Sequence, residues 1–208
     1  LGVMGFADLL ILLGIPYNSP KALEIGEKVM AFIQKRGREA SRELALKRGS
    51  FPNFDGSIWK GRWDAMRNAT LTTIAPAGTI SIIAGTSSGI EPIFALAFVR
   101  HVLEGKELLE VNPYFEALAK QEGFYSEELM RKIAHSGNTQ HVKEVPENIR
   151  KLFVTAHDIT PEDHIRMQAA FQKYTDNAVS KTVNFPHEAT VDEVAKVYKL
   201  AYELGCKG

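Results

Sequence analysis

What this 208-residue chain has little of narrows its reading first. It has one cysteine, Cys206, so no disulfide can close within the chain and no cysteine zinc cluster can form. That scarcity points to a reducing, cytoplasmic setting. Net charge is also missing. The 25 Lys and Arg balance the 25 Asp and Glu, whereas a module for a nucleic-acid polymer carries a basic surplus or stripe. The two basic clusters, Lys35-Arg36-Gly37-Arg38 and Lys47-Arg48, alternate with Glu in a helical pattern and read as a solvated face. No apolar run approaches the roughly 20 residues that cross a membrane. The apolar opening, Leu1 to Leu13, contains Asp8 and lacks a basic flank, so it is no signal peptide. The six histidines show no helical pairing with a carboxylate that suggests a metal site. There is no internal repeat. With no Met at the start and no tail after Cys206-Lys207-Gly208, both termini are expected to be cuts in a longer chain.

What is present is ordinary for a globular protein: 45% hydrophobic and 24% charged residues, enough for one sizeable core. The chain is organised around residues 68 to 92. Thr70 to Ile74 is a β-branched run that reads as a buried strand. It breaks at Pro76-Ala77-Gly78, and an apolar run to Ala84 then reads as a short buried helix starting at Gly78 or Thr79. A strand, a tight turn and a helix start bring free N–H groups and the positive end of a helix dipole together, and Thr79 and Ser81 add hydroxyls. Pro76, Ala77, Gly78, Thr79, Ile80 and Ser81 are therefore a candidate anion turn, although most such junctions bind nothing. A second break, Thr86-Ser87-Ser88-Gly89, follows, with Glu91 just beyond. On its own it reads as a polar turn with a helix cap.

The remaining elements follow from periodicity and punctuation. Residues 1 to 14 read as a buried helix ended by Gly14 and Pro16. Ser19-Pro20 starts a long helix to about Arg48, with Leu23, Val29, Met30, Ile33, Ala40, Leu44 and Ala45 on one stripe. Residues 49 to 56 are a turn cluster, and 59 to 67 an irregular stretch anchored by Trp63. Ile93 to Leu103 predicts a strand buried on both faces, Glu104-Gly105-Lys106 a hairpin turn, and Glu107 to Val111 the returning strand. Helices are predicted from Asn112-Pro113 to about Glu122, from Ser126 to about His135, and from Thr160-Pro161 to about Tyr174, with 136 to 151 irregular. His157-Asp158 reads as a loop hydrogen-bonding pair. Ala178 to Phe185 reads as a strand with Val179 and Val183 buried. Ser180 and Thr182 share its other face, which either lines a pocket or is solvated. Thr190 and Glu193 form a capping box for a last helix. Its core face would be Val191, Val194, Val197, Tyr198, Ala201 and Leu204. Cys206 then begins the next strand as a small buried hydrophobe. Strand, helix, strand is a parallel-sheet pattern, so the fold class is α/β. The expected organisation is a single domain, 1–208, with 104–151 as an excursion.

Several stretches, in order along the chain, resemble one family: Leu1-Gly-Val-Met-Gly-Phe-Ala-Asp8, Arg67 to Pro76, Gly78-Thr-Ile-Ser81, Ser87-Ser-Gly-Ile-Glu-Pro92, His164 to Gln172, Thr175 to Thr182 and Tyr202 to Gly208. They look like class II, adenosylcobalamin-dependent ribonucleotide reductase, in the C-terminal part of its catalytic barrel. The resemblance implies a partial ten-stranded α/β barrel, later strands and helices only, with a small hairpin and helical excursion. It implies radical reduction of ribonucleotides, usually diphosphates, to deoxyribonucleotides. By resemblance the turn Pro76 to Ser81 holds the substrate phosphates. Ser87, Ser88, Gly89 and Glu91 lie at the active-site rim or near the cofactor. The family's radical cysteine and redox pair have no match here, so no catalytic residue is assigned and the chain is expected to be inactive alone. Implied partners are a ribonucleotide substrate and either the missing N-terminal part of the reductase or a second copy. The alternative is a non-catalytic partner or regulatory module derived from a reductase half-barrel.

Overall fold

The computed structural model describes residues 1–101 and 107–208. Its longest element is helix α2, Pro20–Arg48, which starts where Ser19 Oγ accepts the Ala22 N–H at 3.2 Å. Pro20 occupies the first turn, where no N–H is needed. The face α2 buries matches the expected apolar stripe only in part, at Met30 and Ala45. It is Ala22, Gly26 and Met30, then Gly37, Ser41 and Ala45, while Ala40 and Leu44 are exposed and Leu23, Val29 and Ile33 are half-buried. Small side chains near the start of α2, Ala22 and Gly26, let another helix come close. That helix is α7, Pro161–Gln172. At Gly26 an added Cβ would lie 2.8 Å from Cε2 of Phe171.

Helix α1 is only Phe6–Leu12, shorter than expected. Residues 1 to 5 run beside the central stretch instead, without helical structure. Thr73 N donates to Leu1 O at 2.8 Å and Gly5 N to Ser87 O at 2.8 Å. Phe6 meets Phe171 edge-on at 4.9 Å, which joins α1 to α7.

The two expected strands around 70–74 and 178–185 do meet, in parallel. Ile74 pairs with Val179, and Ser180 N donates to Ile74 O at 2.9 Å. The contact is a single bridge and not a continuous ladder. Thr72, Ile74 and Val179 are buried, while Val183 is only half-buried. The predicted strand Ile93 to Leu103 divides. Ile93 bridges Thr155 in parallel, and Ala97–His101 forms β1, antiparallel to β2, Glu107–Val111, with Ala97 opposite Val111 and His101 opposite Glu107. One face of this hairpin is open, with Phe98 and Leu108 exposed, so burial on both faces is corrected. The predicted turn Glu104-Gly105-Lys106 lies outside the described residues.

Helix α3 is Gly78–Ala84. Helices α4, Pro113–Gln121, and α5, Glu127–Ser136, start at their expected caps, Asn112 and Ser126. Helix α6, Glu147–Leu152, forms in a stretch expected to be irregular. One hydrophobic cluster joins Phe6 and Leu10 to Met30, Phe115, Met130, Ile133, Ile149, Phe171 and Val179. A smaller cluster holds Phe54, Trp59 and Met66. Its anchor is Trp59 rather than Trp63: Trp59 is buried and donates Nε1–H to Ala69 O at 2.8 Å, while Trp63 is half-buried against it.

Helix α8, Val191–Glu203, carries the expected capping box of Thr190 and Glu193. Its expected core face is corrected too. Only Val197 is buried, and Val191 and Tyr198 are 85% and 75% exposed. Beyond it Cys206 does not start a ladder. Gln168 and Gln172 of α7 bond Gly208 O and Lys207 N, so side-chain amides hold that end of the chain beside 176–179. Among the described residues no helix is long and apolar enough to cross a membrane.

Candidate functional site

The chain reverses at Ala77, with φ 58° and ψ 22°, the one non-glycine among the described residues at positive φ. This left-handed conformation costs a non-glycine residue roughly 1–2 kcal/mol. It turns the extended segment ending at Pro76 into α3. Ser81 is the one residue of α3 that points inward; its Oγ donates to Gly78 O at 2.8 Å. Among the described residues, no acceptor meets the N–H groups of Gly78, Thr79 or Ile80, and all three residues are exposed. A Cβ on Gly78 would meet nothing within 4 Å. The helix is not buried as expected: Ile82 and Ile83 are both 81% exposed, because the turn stands clear of the chain's own core.

Three anchors fix the segment after α3. Ser87 N donates to Asp8 Oδ2 at 2.6 Å, and Ser87 Oγ accepts the Asp8 N–H at 3.3 Å. Ser88 Oγ donates to Pro76 O at 2.7 Å, which ties this segment to the turn. Tyr17 Oη donates to Ile90 O at 2.6 Å, and burial, then the nearby Glu91 charge, keeps that phenol protonated. Gly89 sits at φ +50°, its backbone so near Ala75 O that a Cβ would lie 3.2 Å from it.

Glu91 reaches across to the segment 178–185. Its Oε1 accepts the Thr182 N–H at 2.7 Å and its Oε2 accepts Lys181 Nζ at 2.5 Å. The Lys181 side chain is wholly buried. Its other two donors go to Thr182 O at 2.6 Å and His164 Nδ1 at 2.8 Å. His164 Nε2 then donates to Ala156 O at 3.2 Å, which assigns the neutral tautomer protonated at Nε2. Burial, then the charge of Lys181, lowers the His164 pKa to about 4. Burial also lowers the Lys181 pKa, against the pull of Glu91. Sequence reasoning singled out neither Lys181 nor His164. A signal was available: Lys181 shares the inward phase of its segment with Val179 and Val183, and a cation there needs partners.

A cavity of about 640 Å³ opens between these segments. Asp8, Ser87, Ser88 and Glu91 wall one side, Thr182 and Asn184 another, and Phe94, Asn112, Tyr114 and Ala156 complete it. Of the expected residues, Ser87, Ser88 and Glu91 line it and Gly89 is buried behind it. Pro76, Ala77, Gly78, Thr79, Ile80 and Ser81 do not line it. The link from cavity to turn is Ser88 on Pro76. Of the open pair, Thr182 lines the cavity, while Ser180 is half-buried and held by Ile74. The walls from Phe94 to Ala156 come from distant chain segments and carried no sequence signal.

Asp158 pairs with Thr155, accepting its N–H and Oγ–H at 2.8 Å each, and not with His157, whose ring meets Phe94. Cys206 is half-buried, and burial raises its thiol pKa, so nothing activates it. Among the described residues no group of three His, Cys, Asp or Glu could hold a metal ion.

The family model "Ribonucleotide reductase, barrel domain" matches residues 1–208. The chain is 60% identical, over all 208 residues, to a vitamin B12-dependent ribonucleoside-diphosphate reductase of Thermoplasma acidophilum, and spans 27% of that protein. It is 49% identical over its full length to the Mycobacterium tuberculosis protein of the same name, spanning 30% of it. A solved structure, the class Id ribonucleotide reductase alpha subunit of Actinobacillus ureae, superposes with a TM-score of 0.84 at 27% identity, over 99% of this chain and 36% of that one. The chain thus spans under a third of the curated relatives named here. With the family model matched from end to end and the alpha-subunit fold shared, this chain belongs to the ribonucleotide reductase barrel-domain family, an α/β barrel-like fold.

Proposed function

We propose that this chain is the later part of the catalytic barrel of a vitamin B12-dependent ribonucleoside-diphosphate reductase, and that it holds the substrate. The observation that carries this is the 60% identity to the Thermoplasma enzyme over a match that covers the whole chain, the turn and the cavity walls included. In this reading the nucleoside enters the cavity, whose volume lies in the range of roughly 300–1,000 Å³ common to small-molecule sites. The phosphates extend past Ser88 to the unpaired N–H groups of Gly78, Thr79 and Ile80. Among the described residues the cavity walls carry no Lys or Arg side chain, so the donors this chain offers a phosphate are uncharged: backbone N–H groups at the turn and hydroxyls such as that of Ser88.

Adenosylcobalamin is carried over from the relatives' names as the cofactor of the complete enzyme; it supplies the radical chemistry. A corrin with its nucleotide loop is far bulkier than a nucleoside diphosphate. The cavity does not fit it and belongs to the nucleotide. Ser87, Ser88, Gly89 and Glu91 are then active-site rim. The chain acts as one domain, 1–208, with 104–151 as an excursion, and contributes later strands to a ten-stranded barrel. Support for one domain is the hydrophobic cluster that runs from Phe6 through Phe115 and Ile149 to Val179. The exposed apolar faces of α3 and α8 suit burial against the rest of the reductase.

The test is Gly78→Val in the complete reductase. No atom of this chain lies within 4 Å of the new Cβ, so its own fold accommodates the change, while the approach of a phosphate is blocked. Weaker binding of a ribonucleoside diphosphate is expected. Unchanged affinity would remove the phosphate assignment.

A further inference from the structure

We infer that Lys181 is a positioning residue that neutralises Glu91 so that the cavity accepts an anionic nucleotide. This rests on the reading of the cavity as the nucleotide's. Among the described residues the cavity wall presents two carboxylates, Asp8 and Glu91, and no cationic side chain. Asp8 is met by the backbone N–H of Ser87. Glu91 keeps 22% of its side chain exposed toward the cavity, and its charge is met from behind by Lys181 Nζ at 2.5 Å. Among the described residues, Lys181 is the one cation paired with a carboxylate of this wall.

The arrangement is built to keep that ammonium in place. All three of its protons are donated: to Glu91, to His164 Nδ1 and to Thr182 O. The neutral imidazole of His164 is an acceptor facing Lys181, so it orients Nζ without adding a like charge. The pair also joins two walls 90 residues apart in sequence, since Glu91 holds both Lys181 and the Thr182 N–H. A buried ion pair is poor value for stability alone, since apolar residues of the same volume do as well. It has a purpose where a carboxylate must face a phosphate-bearing ligand without repelling it. Removing Lys181 leaves Glu91 uncompensated at the wall, in a medium where charges act strongly over several ångströms.

The experiment compares complete reductases carrying Lys181→Met, Glu91→Gln, and both. Each is titrated with a ribonucleoside diphosphate and with the parent ribonucleoside. Lys181→Met is expected to weaken diphosphate binding by about tenfold or more while the uncharged nucleoside binds as before. Adding Glu91→Gln is expected to restore the diphosphate. Unchanged diphosphate affinity, an equal loss for both ligands, or no rescue in the double variant would each overturn the inference. If Lys181→Met does not fold, Glu91→Gln alone decides: it leaves the Lys181 charge behind the wall and is expected to tighten the diphosphate, and any other result overturns the inference. Ser88→Trp fills the cavity and tests the underlying reading separately. If that variant binds both ligands normally, the cavity is not the nucleotide's, whatever Lys181 does.

Discussion

Gly26→Ala should destabilise this protein although it improves a helix. The new Cβ would sit 2.8 Å from Phe171 Cε2, 3.3 Å from Cδ2 and 3.4 Å from Cζ. Carbon atoms prefer separations of about 3.5–4.0 Å, so three ring atoms are crowded at once. The ring cannot step aside: Phe171 is fully buried and Phe6 meets it edge-on at 4.9 Å. Overpacking of this kind costs about 1–3 kcal/mol. Replacing a mid-helix glycine by alanine returns about 1 kcal/mol. The net expectation is a loss of about 1 kcal/mol, read as a lower midpoint with unchanged slope in urea unfolding followed by circular dichroism. A double-mutant cycle isolates the cause. Phe171→Leu removes the crowded atoms, and in that background Gly26→Ala should become stabilising. If Gly26→Ala stabilises the protein with Phe171 in place, the close α2–α7 packing is wrong.

Two further predictions concern the site. Ala77→Gly relieves a left-handed alanine at φ 58°; after the added chain entropy it should stabilise by up to about 1 kcal/mol, and a fall in melting temperature would refute the strained turn. His164 has its pKa lowered from 6.5 to about 4, so between those pH values the unfolded chain binds a proton that the folded chain refuses. Stability should therefore be lost as pH falls from 6.5 toward 4, by about 3 kcal/mol from this group, and His164→Gln should flatten that slope in unfolding curves taken across the range. A slope left unaltered by the substitution would mean the imidazole is not buried neutral.

The elements that sequence determined are those whose cause is local. Ser19-Pro20, Asn112-Pro113, Ser126, Thr160-Pro161 and Thr190 with Glu193 each start the helix they predict, because a capping hydroxyl or amide satisfies N–H groups only two or three residues away. The break at Pro76-Ala77-Gly78 was legible for the same reason. The resemblance carried by spaced motifs was legible too, and it fixed the family before any contact was known.

Tertiary structure decided how much of the apolar phase of α2 and α8 is inside. On α2 hydrophobicity favoured Leu44 and Ala40, but Gly26, Gly37 and Ser41 are buried, because Phe171 packs on Gly26, Leu1 faces Gly37 and Asn68 hydrogen-bonds Ser41. On α8 the apolar phase is real, yet Tyr198 is 75% exposed, because burial depends on what stands opposite and not on the helix itself. The cavity shows the same limit. Its walls come from Asp8, Glu91, Tyr114, Ala156 and Thr182, far apart in sequence, and the Glu91–Lys181–His164 network exists only because the fold brings three segments within hydrogen-bonding distance. A lysine on the inward phase of an extended segment says that a partner must exist; only packing names it.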